Sequence, residues 1–434
     1  MRRRTAAVVA TILAASLGAT PVLAADELSV FNSKMEIEDQ MEEMASDYSD
    51  ANDVDMEVYY SSDTVAAHLS TKYASKDPYV LNMVDAKDIY SLGPDHALDL
   101  SDQSWVNDSS QIISVDGKVL GFPLCIEARG IIYNADAIKK ITGEDFDPSS
   151  VKTLDDFDAL CQKLVDGGME SPTGIMKEDW SLGAHYLQEV YEQRDDPSAF
   201  IKGLHDGTVD LASDEKFNSL MDTFDVLMKY NYAKDAPIAA ERETTEQKLA
   251  EGEIAFMFGG NWDWSVINAY DYSDNMGMMP VPQNTDDGSN EKLVGGGSKY
   301  FFIDNSVSED LQKQAEDWLD WLVNSDDGKD FIVNTCALVP AFKTNDLEVA
   351  DPLGKSVKSY ADSDSLIANY NYDPDDHYSV VGASMQKYLA GEIDRDGLAK
   401  EIESYWQGAT ITDPAIGGTA AASTAATEAA TEAE

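Results

Sequence analysis

The sequence predicts an α/β protein with a parallel sheet, in a chain long enough for two domains. Apolar strand patterns at 28–31, 54–60 and 79–84 alternate with amphipathic helix patterns at 37–48 and 64–74. Two consecutive strand–helix–strand units of this kind build a parallel sheet with right-handed crossovers. The 434 residues exceed the length at which a single hydrophobic core stops growing, so we expect two domains.

Polar side chains follow two of these strands. Lys34 ends an Asn-Ser-Lys run after the first strand, and Asp85 comes directly after the third strand. Ligands of open α/β sheets bind outside the carboxyl ends of the strands. We therefore expect Lys34 and Asp85 to lie at a ligand site on that edge of the sheet.

A later strand-to-helix corner carries two tryptophans. Residues 254–258 form an apolar run that leads into a Gly-Gly pair, and Asn261 is placed to cap a helix beginning near Trp262. Trp262 and Trp264 flank Asp263 at this corner. An indole offers a flat apolar face and a carboxylate offers acceptors, a combination that suits a sugar ring. Taken alone, such a pair is more typical of a hydrophobic core.

The first 25 residues have the pattern of a secretory signal peptide. Three arginines precede an apolar stretch at 6–17, and small residues at 22–24 form a cleavage site. No later stretch reaches 18 consecutive apolar residues, the length that spans a bilayer. We therefore predict an exported, soluble protein, in the periplasm or at the extracellular cell surface, with no lipid-attachment cysteine.

Charge and cysteine content exclude other classes of function. The formal net charge of −50 repels nucleic acid and anionic membranes, so neither is expected as a partner. The three cysteines, Cys125, Cys161 and Cys336, lie in apolar surroundings and are odd in number. We expect buried free thiols rather than a disulfide framework.

The rest of the chain adds strands, helices and an acidic tail. Strands are predicted at 119–123 and 131–133, with Glu127 and Arg129 between them. A helix is predicted to begin at Trp180. Residues 409–434 consist mainly of Ala, Thr, Glu, Gly and Ser, too little apolar bulk to pack, so we predict a disordered tail.

Motifs for metal binding and for several kinds of catalysis are missing from the sequence. The five histidines are not closely paired, and no cysteine has metal-ligand spacing. No nucleophile elbow, Walker motif or dinucleotide fingerprint is present, so no cofactor is expected. The sequence does not decide whether two of the 81 acidic residues form a carboxylate pair for glycoside hydrolysis, because it does not report the distance between them.

Two stretches carry a family resemblance. Residues 116–134, DGKVLGFPLCIEARGIIYN, resemble the "DGK-x-x-G-x-P … E … YN" segment of extracellular carbohydrate-binding proteins of ABC importers, the maltose-binding type. Residues 252–265, GEIAFMFGGNWDWS, resemble the "GEAAM … GxWxWS" segment of the same family. Weaker matches in the same order, including Gly295–Gly297, extend the resemblance over most of 27–407.

This resemblance implies a two-lobed, periplasmic-binding-protein-like fold of type II. The lobes would comprise 26–127 with 294–339 and 128–293 with 340–408, joined by hinge strands, with the ligand in the cleft between them. It implies a mono- or oligosaccharide ligand, permease transmembrane subunits as partners, a monomer, and no enzymatic activity. Two features depart from many family members: the absent lipid-attachment cysteine and the acidic tail.

The resemblance also implies roles for individual residues. Glu127 would accept sugar hydroxyls, Trp262 would stack on a sugar ring, and Trp264 would lie nearer the wall. Arg129 and Asp263 occupy variable positions that would tune the choice of sugar. The resemblance also gives Lys34 and Asp85 as hydrogen-bonding residues, Tyr378 as another stacking aromatic, and Gly296 and Gly297 as ligand-binding residues. Trp180 is predicted to bind the ligand on a different ground, because it begins a helix and could stack on a sugar ring.

Three alternatives remain open from the sequence. A secreted glycoside hydrolase or lyase would turn the sugar over. A protein of the same fold could bind a cationic solute such as a polyamine, or a peptide, through acidic residues and a cation–π contact. A surface protein that binds no small ligand is the third alternative.

Overall fold

The computed structural model describes residues 27–417, so the predicted signal peptide and residues 418–434 lie outside the described part. Strands and helices alternate along the chain, as the sequence predicts. The strands are β1 (Glu27–Phe31), β2 (Asp55–Tyr59), β3 (Leu81–Asp85), β4 (Ile113–Val115), β5 (Lys118–Pro123), β6 (Cys125–Asn134), β7 (Thr173–Gly174), β8 (Phe256–Gly260), β9 (Met276–Met279), β10 (Leu293–Gly297), β11 (Lys299–Ile303), β12 (Val339–Pro340) and β13 (Leu366–Ile367). The helices are α1 (Glu38–Asn52), α2 (Val65–Ala74), α3 (Ala86–His96), α4 (Ala135–Thr142), α5 (Leu154–Asp166), α6 (Glu189–Glu192), α7 (Pro197–His205), α8 (Glu215–Tyr230), α9 (Arg242–Ala250), α10 (Trp264–Ile267), α11 (Glu309–Asn324), α12 (Asp326–Asp330), α13 (Pro352–Asp362), α14 (His377–Leu389) and α15 (Arg395–Gly408).

The first sheet contains the strands at the start of the chain. Within residues 27–417 it has six strands in the order β2-β1-β3-β11-β5-β4. β1 pairs in parallel with β2 and β3, as two right-handed crossovers through α1 and α2 require. β11 returns late in the chain and pairs antiparallel with β3 and β5.

The second sheet is built around β6. Within the described residues it has seven strands, with β8 and β10 on either side of β6 and with β9 and β12 also paired to it. The chain passes from the first sheet to the second at Leu124, between β5 and β6, and returns at Ser298, between β10 and β11. The predicted lobe boundaries at 127/128 and 293/294 therefore fall inside β6 and β10.

Glu127 and Arg129 lie within β6 and not between two strands as predicted. Apolar neighbours on β6 are buried, and the two charged residues alternate with them along the strand. Both side chains have oppositely charged partners, which allows charge to occupy a largely buried strand. A charged residue in an apolar run predicts a break in the strand. The pattern of one segment does not show the oppositely charged partners, which lie far away in sequence.

The hydrophobic cores confirm the prediction for the three cysteines. Cys125, Cys161 and Cys336 are buried free thiols. Trp318 on α11 is fully buried, with its ring centroid 5.0 Å from that of Phe301. No helix within residues 27–417 is long and apolar enough to cross a membrane.

The predicted tail begins too early. Residues 409–417 continue from α15, and the Asp413 side chain is buried and accepts a hydrogen bond from the Tyr370 hydroxyl (3.1 Å). The Thr412 hydroxyl donates to the Tyr372 carbonyl oxygen (2.7 Å). Hydrogen bonds of this kind anchor a segment whose low apolar content suggests disorder.

Candidate ligand-binding cleft

A cavity of about 680 Å³ lies between the two sheets, and we call it the cleft. It is lined by residues that follow β1, β2, β3 and β8, so it lies at the carboxyl ends of these strands, as predicted. Most of the sequence-predicted site residues meet here. Those lining the cleft are Lys34, Asp85, Glu127, Arg129, Trp180, Trp262, Gly297 and Tyr378.

Trp180, His185 and Trp262 form one side of the cleft, which we call the aromatic wall. The His185 ring lies 4.6 Å from the Trp262 ring and 5.4 Å from the Trp180 ring, measured between centroids. Burial lowers the pKa of His185 to about 3, and Arg129 adds to this effect. The imidazole is therefore uncharged at neutral pH, and the wall offers flat, largely apolar faces.

Lys34 and Glu127 form a buried ion pair across the two sheets. Lys34 follows β1, Glu127 belongs to β6, and the Lys34 Nζ and Glu127 Oε1 atoms are 2.6 Å apart. Burial alone would lower the pKa of Lys34, but the adjacent Glu127 carboxylate raises it. The Ser298 hydroxyl donates to the other oxygen of Glu127, so the carboxylate is held from both sides.

Lys299 holds Asp85 at the edge of the first sheet. The Lys299 Nζ and Asp85 Oδ1 atoms are 2.5 Å apart, and the two residues are cross-strand partners on β11 and β3. Lys299 also donates to the Ser33 hydroxyl (3.3 Å). Asp85 is thus oriented by a partner that the sequence-based prediction did not include.

Arg129 organises the floor of the cleft. Its guanidinium forms an ion pair with Glu192 and donates to the Asn369 side-chain oxygen (2.9 Å) and the His185 carbonyl oxygen (3.1 Å). The Tyr370 backbone N–H donates to Glu192 (2.9 Å). One arginine on β6 thereby fixes the backbone that carries His185 and the segment around 369–370.

Asp263 does not line the cleft, which corrects the prediction that it contacts the ligand. It is fully buried behind Trp262 and accepts hydrogen bonds from the Gly260 N–H (2.9 Å) and from Arg242 (3.1 Å). The carboxylate belongs to the cap of the helical turn that begins at Asn261, with Gly260 and not Asn261 as the N-cap residue. A capping carboxylate and a ligand-binding one look the same in sequence.

Trp264 and Gly296 are also displaced from the cleft. Trp264 is buried and belongs to a hydrophobic core cluster. Its ring also lies edge-on to that of the exposed Tyr272, with 4.8 Å between centroids. Gly296 lines a neighbouring cavity of about 560 Å³. That cavity shares Gly297, Asn369 and Asn371 with the cleft.

Comparison with known proteins identifies the family. The family model described as bacterial extracellular solute-binding protein matches residues 43–362. The chain belongs to this family. No curated protein sequence matches it.

Solved structures of similar fold support the same architecture for this solute-binding protein. At these sequence identities the likeness shows the fold, a two-lobed type II periplasmic-binding fold. The matches include RafE in complex with raffinose (TM-score 0.73, 17% identity, 88% of this chain and 98% of that chain), whose apo form from Streptococcus pneumoniae also matches. A sugar transporter protein from Bacillus licheniformis in complex with stachyose has TM-score 0.66 and 19% identity over 88% of this chain and 99% of that chain. An ABC transporter binding protein from Bifidobacterium animalis subsp. lactis in complex with mannobiose has TM-score 0.61 and 16% identity over 88% and 93%.

Sequence reasoning missed several residues of the cleft of this solute-binding protein. The clearest is Arg242 at the start of α9, which lies over the Trp180 ring, 5.3 Å from its centroid, and pairs with Asp263 and Glu246. His185, Glu192 and Lys299 are the other functional candidates that sequence did not indicate. Their positions in the cleft depend on tertiary packing. The only signal in the sequence was the helix predicted to begin at Trp180, which brings His185 and Glu192 near a predicted site residue.

Two contacts join the lobes on one side of the cleft of the solute-binding protein. Lys87 on α3 pairs with Asp375, with 2.5 Å between Nζ and Oδ1. The Tyr90 and Tyr372 rings lie 4.9 Å apart between centroids. Both contacts link α3 of the first lobe to the segment before α14.

Within residues 27–417 no cluster of His, Cys, Asp or Glu has the arrangement of a metal site.

A close helix crossing in the solute-binding protein positions two aromatic residues of the cleft. The π-helical segment Trp180–Tyr186 packs on α14, and Gly183 meets Gly382 at the crossing. A Cβ atom on Gly183 would lie 2.5 Å from the Tyr378 carbonyl oxygen. Glycine at both positions of the crossing allows the two helices to approach closely, and this approach brings Trp180 and Tyr378 to the cleft.

Gly183→Ala is expected to destabilise the solute-binding protein. The added methyl group meets backbone atoms and forces the two helices apart, a change that costs about 1–3 kcal/mol. Urea denaturation measures the free energy of unfolding. Gly408→Ala is the matched control, because a Cβ atom there meets nothing within 4 Å. Equal stability of the two variants would contradict the close crossing.

Stability should also depend on pH, because two buried carboxyl groups of α6 have raised pKa values. Burial raises the pKa of Glu189 and of Glu192 to about 8, against the opposing effect of Arg129. The unfolded chain releases these protons near pH 4.3. The folded protein therefore holds more protons, and its stability falls as the pH rises through the folded-state pKa.

We expect the free energy of unfolding to decrease between about pH 5 and pH 8, by up to about 1.4 kcal/mol per pH unit for each group. Urea denaturation across this range measures the slope. Glu189→Gln should flatten it, since the amide carries no titrating proton. A free energy that rises across the same range would contradict the raised pKa values.

Proposed function

We propose that this protein is the substrate-binding component of an ABC-type sugar importer and binds a mono- or oligosaccharide in the cleft. The observation that carries the proposal is the aromatic wall of Trp180, His185 and Trp262 beside fixed hydrogen-bonding groups in one cavity. Sugar rings present apolar C–H faces and a rim of hydroxyl groups. A wall that stacks and a floor that hydrogen-bonds match both features.

The charged residues are prepared to bind hydroxyl groups without rearranging. Glu127 and Asp85 are each held by a lysine, and Arg129 is held by Glu192. Such pre-organised donors and acceptors lower the entropy that binding would otherwise lose. Hydrogen bonds to charged groups are about twice as strong as those between neutral groups.

The proposed transport role follows from the two lobes. Sugar binding stabilises the closed arrangement, in which Lys87 of the first lobe meets Asp375 of the second. Permease subunits in the membrane would recognise that closed form and receive the sugar. The protein acts outside the cytoplasmic membrane, in the periplasm or at the cell surface, and performs no chemistry on its ligand.

Similar structures support a saccharide as the ligand class. Three of the matched structures are complexes with raffinose, with stachyose and with mannobiose. These sugars differ in composition, so they support the class and not one particular sugar for this chain.

A thermal-shift screen across neutral mono- and oligosaccharides tests the proposal. A ligand at 100 times its Kd stabilises a protein by about 2.7 kcal/mol, which is a measurable rise in Tm. Incubating the protein with each sugar that raises the Tm, and analysing the products, separates binding from hydrolysis. Saturable binding without products is expected, and turnover would identify an enzyme instead.

A cationic solute is the second candidate, because the cleft contains more carboxylates than cations. Besides the paired acids, Asp63 and Asp373 line it. Spermidine included in the same screen tests this candidate. Stabilisation by spermidine and by no saccharide would replace the sugar proposal.

A further inference from the structure

Every lysine and arginine that lines the cleft already has a carboxylate partner in the protein. The pairs come from both lobes and include buried and half-exposed groups. They are Lys34 with Glu127 (2.6 Å), Lys87 with Asp375 (2.5 Å), Lys299 with Asp85 (2.5 Å), Arg129 with Glu192, and Arg242 with Glu246 (2.8 Å) and Asp263 (3.1 Å). Each of these cations is therefore already in contact with a carboxyl group before any ligand binds. Because burial raises the pKa of Glu192 to about 8, its charge offsets that of Arg129 fully only above that pH.

Further carboxylates line the cleft without adding a cation. Asp63, Asp88 and Asp373 belong to this group, together with Glu36, the more distant of the two acids beside Lys34. Asp88 is only 2% exposed, so water screens it poorly. One oxygen of Asp373 is buried with no hydrogen-bond partner within the described residues. Burial raises the pKa of Asp88 and of Asp373 to about 7, so the cleft as a whole carries an excess of negative charge above about pH 8.

The histidines do not compensate for this excess. His185 and His377 both line the cleft, and burial lowers the pKa of each to about 3. Both rings are therefore neutral wherever the carboxylates are ionised. This leaves the paired lysines and arginines as the positive groups that face a ligand.

We infer that the cleft selects saccharides that carry no carboxylate, sulfate or phosphate group. An acidic sugar would either have to break one of the ion pairs, leaving a buried carboxylate without its cation, or lie beside unpaired carboxylates. Each outcome is unfavourable, because a buried charge that loses its partner, or that lies beside a like charge, is poorly compensated. A neutral sugar neither breaks an ion pair nor places a negative group beside a carboxylate. An amino group on a sugar is tolerated because its positive charge lies beside carboxylates. The inference rests on the proposed function and specifies its ligand class.

The test compares three forms of one sugar by titration calorimetry. The neutral oligosaccharide that gives the largest thermal shift is compared with its derivative oxidised to a carboxylate at the primary hydroxyl groups, and with the corresponding amino derivative. We expect the oxidised form to bind at least about a hundredfold more weakly than the neutral form. The amino derivative has the same hydroxyl groups replaced, and its affinity should fall less than that of the oxidised form. A loss of tenfold or less for the oxidised form would overturn the inference, as would an amino derivative that binds no better than the oxidised one.

An asparagine variant separates the charge of the cleft from the charge of the whole protein. Asp373→Asn should reduce the ratio between neutral and oxidised affinities by about tenfold, measured at a pH above 8 where Asp373 is ionised. Glu170→Gln is the matched control, because it removes the same charge from an exposed position outside the cleft.

Equal ratios in the two variants would overturn the inference by showing that the overall charge is responsible. An acidic saccharide that binds as tightly as the neutral one overturns the inference alone. The absence of binding by every saccharide, neutral, acidic or amino, overturns the proposed function as well, so the two failures are distinguishable.

Discussion

Replacing Trp262 with alanine is expected to weaken saccharide binding by about 2 kcal/mol or more, roughly thirtyfold in Kd. The indole lines the cleft beside His185, and truncation removes the larger of the flat faces at that point. Its Nε1 atom is buried and has no hydrogen-bond partner within residues 27–417, so the ring face is the part of the indole that is offered to a ligand. Titration calorimetry against the sugar with the largest thermal shift measures the change.

Trp264 provides the control for this experiment. It lies two positions further along the same helical corner but is buried in a hydrophobic core cluster. Trp264→Phe keeps an aromatic ring in the core and should leave Kd within about threefold of the wild-type value, although it lowers stability. An equal loss of affinity in both variants would contradict the assignment of Trp262 to the cleft.

Glu127→Gln is expected to reduce the free energy of unfolding by about 3–5 kcal/mol. The substitution leaves the Lys34 ammonium without its close partner in a site where its side chain is only 4% exposed. Glutamine keeps the shape of glutamate and can still accept from Ser298, so the lost charge is the main change. Urea denaturation with matched m-values measures the effect.

A second acid beside the same lysine gives the comparison. Glu36 lies 3.9 Å from Lys34 and its side chain is 35% exposed, so water screens the pair. Glu36→Gln should cost about 1 kcal/mol or less. If Glu127→Gln is no more destabilising than Glu36→Gln, the buried pair does not hold the two sheets as described.

Strands β6 and β10 connect the fold to the proposed function. β6 and β10 carry Glu127, Arg129 and Gly297 into the cleft at the place where the chain passes between the sheets. Residues on these strands therefore contact groups from both lobes. The proposed function predicts that a ligand bound to them shifts the balance between open and closed arrangements. The Lys87–Asp375 pair adds a contact that forms directly between the lobes.

The α/β class and the start of the first sheet were predictable because their pattern is local, whereas the two-lobed arrangement was predicted only from the family resemblance of two segments. The first three strands and two helices follow from apolar spacing, and the positions of Lys34 and Asp85 follow from the rule that ligands bind at carboxyl ends of strands. Trp262 became a site residue only when it was considered with the Glu127 segment. These predictions depend on short-range order, which sequence contains.

The rest of the site depends on contacts between distant segments. Arg242 reaches Trp180 and Asp263 through the packing of α9, and Glu192 reaches Arg129 from α6. Asp263 was predicted to contact the ligand because a capping carboxylate and a binding carboxylate share one sequence pattern. Which role applies is decided by the direction of a side chain, which spacing alone does not give.

Titration calorimetry of the intact protein with neutral oligosaccharides tests the central claim most directly. The protein described here should bind at least one of them saturably, with one site per chain, and release it unchanged. Heat from binding that Trp262→Ala weakens would agree with the cleft as the site. No binding to any saccharide, or conversion of a bound saccharide to products, would contradict the claim.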